Sequence, residues 1–190
     1  MNLNRLRDKA YQCAVAHGWH EENLSDEHFL CLVISELMEA VEADRKGRHA
    51  DTKKFNQEMD YYIHEMKLYG DNYDEAYRDT FEYYLKDSVE DELADACIRL
   101  LDLAGLRGYD LDRLDYEGSD TEDYSEMNFT ESMYRICVYV TDGFYNKYYD
   151  TLLNEIFAFC KDRSIDIFWF INQKMKYNEL RPYKHGDKSY

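Results

Sequence analysis

The chain has 190 residues, of which 45% are hydrophobic and 16% aromatic, a composition that builds a core rather than a disordered chain. A formal charge of −17 and a pI near 4.7 leave no basic face for a nucleic-acid polymer. One proline and 8 glycines are too few for a turn-rich β architecture and favour long helices.

In chain order, the first predicted helix runs from about Asn4 to Ala16, with Leu6, Ala10, Cys13 and Ala14 on one face and Gly18 as its C-terminal cap. Ser25 is placed to N-cap the second, and Asp26 and Glu27 sit in its electropositive first turn. Its apolar positions, Phe29, Leu32, Val33, Leu37, Ala40 and Val41, recur at three and four up to about Arg45, and Gly47 ends it. A polar, tyrosine-rich helix is predicted from about Thr52 to Tyr69, closing at Gly70. One long helix follows from about Tyr73 to Ala104, with Val89, Leu93, Ala96, Cys97, Leu100 and Leu101 inward and Gly105 as its cap. The alternation from Tyr109 to Asp115 is too short to assign.

Asp115 to Glu126 holds six acids and no base, which predicts an exposed loop. A helix from about Glu131 to Cys160, with a kink or break at Gly143, and another from about Ile165 to Tyr177 complete the series. The sum is an all-α helical bundle in a single domain, residues 1–190, without repeats. The longest apolar run, Phe29 to Ile34, is far short of a membrane span. The N-terminus carries no apolar signal core, and Cys13, Cys31, Cys97, Cys137 and Cys160 form no CxxC pair. A soluble, cytoplasmic protein with buried free thiols and no membrane partner is the expectation.

Two short patterns carry candidate chemistry. Glu36 and Glu39 form an E-x-x-E within Ile34–Ala40, and Glu92 and Asp95 form an E-x-x-D within Glu90–Ala96. Helical positions three apart share a side, about 5–6 Å between Cβ atoms. Both pairs are flanked by residues that pack inward, so the four acids are drawn towards a helix–helix interface. Two carboxylates ~4 Å apart repel by about 4 kcal/mol at an effective dielectric near 20. Four must be protonated or neutralised, and an all-oxygen donor set selects Mg²⁺, or Mn²⁺ in its place, over zinc. The plainer alternative is a pair of solvated acidic helix faces in a non-enzymatic helical interaction protein.

The same motifs resemble the metal signature of the MazG-like and all-α dUTPase-like pyrophosphohydrolases. Three further stretches extend the likeness: Ala40–Gly47 after the first pair, Lys86–Asp102 around the second, and Lys174–Pro182 with Lys184–Gly186 in the tail. Two departures stand beside it. Ser35 occupies a place where the family often has Glu, and 52 residues separate Glu39 from Glu92, so residues 48–80 read as an insertion. The resemblance implies a four-helix metal-binding core and assembly as a homodimer or homotetramer. It also implies Mg²⁺-dependent hydrolysis of (deoxy)nucleoside triphosphates to the monophosphate and pyrophosphate. Glu36, Glu39, Glu92 and Asp95 would then be the metal-binding and catalytic residues, and Lys174, Asn178, Arg181 and Lys184 the phosphate contacts.

Charge along the chain agrees with that placement. From Asn172 to Tyr190 five bases face two acids, a local reversal in a strongly acidic chain. The expectation is a tail that folds over a bound triphosphate, with Arg181 able to grip oxygens bidentately. Arg99, one turn after Asp95, is expected to pair with it or with a phosphate. Trp19 is expected either to pack in the core or to stack on a base. Rival all-α chemistries lack their residues: no E-x-x-H pair serves a di-iron centre, and the chain contains no His-Asp dipeptide and no P-loop.

Overall fold

A computed structural model describes residues 2–69, 72–112, 121–146 and 149–184, and among these every regular element is helical. The order is α1 (Leu3–Ala16), α2 (Asp26–Arg45), α3 (Thr52–Tyr69), α4 (Tyr73–Tyr84), α5 (Val89–Leu106), α6 (Phe129–Asn146), α7 (Tyr149–Asp162) and α8 (Ile167–Glu179). None of them is long and apolar enough to cross a membrane.

The hub is α5. Its first half buries Val89, Leu93, Ala94, Ala96 and Cys97, and its second half buries Leu100, Leu101, Leu103 and Ala104, so apolar surface faces almost every direction. A helix with so much of its circumference apolar must be enclosed by neighbours. Here α1, α2, α7 and α8 surround it, and α6 closes over α2 and α7. The helices α3 and α4 pair with each other, and Phe55 and Tyr77 hang that hairpin on α8. Phe55 meets the Trp169 ring edge-on with centroids 5.7 Å apart, and the Tyr77 hydroxyl donates to the Gln173 carbonyl at 2.8 Å. The stretch 48–80 read as an insertion holds α3 and most of α4.

Four expectations are corrected. The long helix predicted from Tyr73 to Ala104 is two, α4 and α5, because the chain turns at residues 85–88. Asp87 there takes a left-handed backbone with φ of 56°, and Ser88 accepts the Asp91 N–H at 3.2 Å as the N-cap of α5. Gly105 does not cap α5 but lies inside it. A Cβ at Gly105 would stand 2.6 Å from the Tyr11 Cβ, so glycine is what lets α1 come this close, and the positive φ falls three residues later at Gly108. The helix predicted from Glu131 to Cys160 is two as well: α6 runs unbroken through Gly143, and α7 begins at Tyr149.

The acidic stretch 115–126 is not simply an exposed loop. Residues 115–120 lie outside the described residues, but Tyr124 is fully buried with its hydroxyl on Glu155 at 2.6 Å. Among smaller differences, Ser25 occupies the N-cap of α2 without a side-chain cap hydrogen bond, and Cys31 is exposed although the other thiols are partly or wholly buried. Gly70, expected to close the third helix, lies outside the described residues.

Candidate functional site

The helices α1, α2, α5 and α8 enclose a cavity of about 730 Å³. Its floor is built by α2 and α5, which pack together and bury Val33, Leu37 and Ala40 on one helix and Leu93, Ala96 and Leu100 on the other. The three-residue spacing then turns Glu36 and Glu39 from one helix, and Glu92 from the other, towards the same point. One carboxylate oxygen from each lies within 4.8 Å of the others. Opposite oxygens on a small octahedral dication stand about 4.2 Å apart, so the three acids fit such an ion with small side-chain movement. All-oxygen donors suit Mg²⁺ or Mn²⁺.

Glu36 and Glu92 are buried, whereas Glu39 is exposed at the cavity. The solvated acidic faces of the plainer sequence reading therefore do not describe Glu36 and Glu92. Burial raises the Glu36 carboxyl above the usual range, and Asp95 adds to the rise; Arg99 opposes it, its Nε donating to Glu36 Oε1 at 2.5 Å. Arg99 thus reaches across to α2 and does not form the expected pair with Asp95 one turn away. Glu92 is pushed up to about 8, first by burial and then by Asp91, with Lys174 pulling the other way. No hydrogen-bond donor among the described residues meets Glu92, and Glu39 has only the Ser35 hydroxyl, at 3.5 Å. This is a group of acids held together without the donors that would make it a finished structural network.

Asp95 lines the same cavity but is engaged differently. The Lys174 ammonium from α8 lies 2.8 Å from Asp95 Oδ2 and 2.7 Å from Asp91 Oδ2. Burial works against that charge, but Asp95 and Asp91 outweigh it and hold the ammonium protonated. Burial also raises Asp91, which is buried to 1% exposure, against the pull of Lys174. The Asp91 carboxylate in turn accepts the Asp87 backbone N–H at 2.9 Å. Lys174, expected as a phosphate contact, is a buried part of the carboxylate floor paired with Asp91 and Asp95.

The remaining tail residues divide. Asn178 and Arg181 line the cavity, but the Lys184 ammonium turns away to Glu21 at 2.6 Å. The segment after α8 is strapped to the α1–α2 turn. The Lys184 N–H donates to the His17 carbonyl at 3.1 Å, the Tyr183 hydroxyl donates to Glu21, and His17 Nε2 lies 3.0 Å from the Arg181 carbonyl oxygen. Trp19, Phe29 and Leu32 also line the cavity and add apolar surface to it. Beside it His20 Nε2 meets Asp102 Oδ1 at 2.7 Å.

Sequence reasoning passed over Asp91. Part of the signal was present: Ser88 and Asp91 stand in the S-x-x-D relation of a capping box, which marks a helix start. Lys174 was found, but with the wrong surroundings, since its partners lie 83 and 79 residues earlier. Comparison with known proteins adds nothing to these residues: no family model, no curated protein and no solved structure matches the chain.

Proposed function

We propose that the protein hydrolyses (deoxy)nucleoside triphosphates at the α–β phosphoanhydride, releasing the nucleoside monophosphate and pyrophosphate, with Mg²⁺ as cofactor and Mn²⁺ able to replace it. One observation carries the reading: carboxylates from two facing helices, Glu36 and Glu92 buried and Glu39 exposed, come together at the floor of a cavity that Asn178, Arg181, Trp19 and Phe29 also line. The likeness of the two acidic motifs to the MazG-like pyrophosphohydrolases supports the same reading, and α1, α2, α5 and α8 would be the four-helix core.

When bound, a divalent ion neutralises phosphate oxygens and lowers the pKa of a coordinated water. The chain's own residues do the rest. Glu36, Glu39 and Glu92 would hold the ion, and Arg99 fixes the rotamer of Glu36 through its hydrogen bond. Glu39, exposed and lightly held, is placed to orient the attacking water, whose oxygen bonds to the α-phosphorus as the bond to the bridging oxygen breaks and pyrophosphate leaves. Asn178 and Arg181 meet the distal phosphates, where a planar guanidinium gives two parallel hydrogen bonds. Trp19, Phe29 and Leu32 offer the base an apolar surface.

The test is Mg²⁺-dependent release of pyrophosphate across the common ribo- and deoxyribonucleoside triphosphates, with Glu36→Gln and Glu92→Gln alongside. Release from a subset of nucleotides, lost in both variants, would support the reaction and name the substrate. No release from any nucleotide, with no Mg²⁺-induced rise in Tm, would overturn it.

A further inference from the structure

Five carboxylates gather at the cavity floor, but they do not share one environment. Glu36, Glu39 and Glu92 bring oxygens together around an open point, whereas Asp91 and Asp95 converge on an ammonium group. We infer that Lys174 is a built-in cation that takes the place of a second divalent ion, so that the floor accepts one dication, on Glu36, Glu39 and Glu92. The inference rests on the pyrophosphohydrolase reading and fixes how its cofactor is counted.

Three features make the Lys174 position suited to an ammonium and unsuited to a dication. First, its side chain is 6% exposed, and the Asp91 side chain only 1%, so an ion there would have to shed nearly all its water. Mg²⁺ dehydrates reluctantly and keeps several waters in protein sites. Second, the ammonium lies 5.7 Å from the centroid of Phe81 and 5.9 Å from that of Tyr177, two rings stacked 4.4 Å apart. Ring faces attract an ammonium but give a hard dication no oxygen donor. Third, the Asp91 Oδ2 that takes the ammonium also accepts the Asp87 N–H, and Asp91 is held at the first turn of α5 by the cap at Ser88. It is fixed where the lysine needs it.

With the five acids ionised, Lys174 and Arg99 leave the floor at −3, and without Lys174 it would stand at −4, so the lysine supplies part of the compensation that a further ion would otherwise bring. A lysine is also the cheapest cation to keep permanently, because it is tethered to α8 and needs no ion from solution.

The experiment is a count of Mn²⁺ per chain on the full-length protein without nucleotide, since a triphosphate brings its own ion, read by titration calorimetry and by the electron paramagnetic resonance signal of free Mn²⁺. One Mn²⁺ per wild-type chain is expected. Two or more would overturn the inference and leave the metal reading standing; none at millimolar Mn²⁺ would overturn the metal reading itself. Lys174→Gln should then bind two, with the line broadening of neighbouring Mn²⁺ ions, whereas Lys174→Arg, which keeps the charge, should stay at one. A Lys174→Gln chain that folds and still binds one would overturn the stand-in role, because a lysine that merely supports the fold would not change the count. Should that variant not fold, the wild-type count still decides.

Discussion

Among the described residues, acids are buried in two places and treated in opposite ways. Between α6 and α7, Glu155 accepts the Tyr124 hydroxyl at 2.6 Å and the Glu122 N–H at 3.3 Å. Its neighbour Glu122 accepts Arg135 on both oxygens and the Tyr139 hydroxyl at 2.8 Å, and Asp162 takes the Tyr124 N–H at 3.1 Å. Burial still pushes Glu155 up, but the Tyr124 and Glu122 donors oppose it, and Tyr139 and Arg135 hold Glu122 below the ordinary range. Between α2 and α5, Glu92 meets no donor among the described residues and rises to about 8. A buried acid with its donors is part of the fold. A buried acid without them is a debt the fold carries for something that arrives later.

The widest split between the two places is expected from one substitution in each. Glu92→Gln should lower pyrophosphate release by roughly 10³-fold, since an ion-mediated stabilisation is worth several kcal/mol. It should also raise the metal-free Tm by a few degrees, because an uncompensated buried acid is removed, and it should abolish the Mg²⁺-induced shift. Tyr124→Phe should do the reverse. It strips Glu155 of its hydroxyl donor, costs about 1–3 kcal/mol, and lowers Tm by several degrees with activity unchanged. If Glu92→Gln lowered the metal-free Tm as Tyr124→Phe does, both groups would be structural and the distinction would fail.

Next in size is the response to pH. Glu36 and Glu92 hold protons in the folded chain that an unfolded chain releases from about pH 4.3 upward. Stability falls with rising pH wherever the folded state binds more protons than the unfolded one. The metal-free protein should therefore lose stability from about pH 5 to 8 through these two groups, and the slope should be shallower in Glu36→Gln/Glu92→Gln. The rise in Tm on adding Mg²⁺ should be larger at pH 8 than at pH 6, where the ion must compete with protons. Equal rises at both, measured by calorimetry, would remove these acids from the metal site.

How much of this the sequence disclosed depended on how local the cause was. The helix α2 was legible to its ends, because its apolar stripe, the acids three apart within it and Gly47 beyond it all act within a few residues. The break at residues 85–88 was obscured by the strong stripe from Val89 onward, although Ser88 and Asp91 signalled a helix start. Gly105 looked like a cap because glycine after an apolar stripe often is one. Its actual reason, the approach of Tyr11, is a contact between helices and has no local trace. Arg99 had an acid one turn away and chose another 63 residues earlier, and Lys174 sat in a basic stretch that read as a set of phosphate contacts. The Glu36, Glu39 and Glu92 group could be read from spacing; the cations that surround it could not, since only the packing of α8 and α2 against α5 brings them there.

The smallest effects are expected at the strap, which touches neither group of acids but sets the rim above one of them. Truncation after Tyr177 removes Asn178, Arg181 and the contacts to the α1–α2 turn together, and should raise KM for the triphosphate about tenfold or more, while Arg181→Ala alone should account for most of that rise. An unchanged KM would place the distal phosphates elsewhere in the cavity. Gly18→Ala probes the strap without touching the rim. Gly18 adopts φ of 78°, and an added Cβ would fall 2.4 Å from the Tyr183 hydroxyl oxygen, so the alanine both strains the turn and displaces the ring from Glu21. A cost of about 1 kcal/mol is expected, or a few degrees in Tm, with a slight rise in KM and no change in kcat. A variant that lost kcat instead would show that the turn bears on the carboxylate floor directly, and the proposed division between a phosphate-binding rim and a cation-holding floor would have to be redrawn.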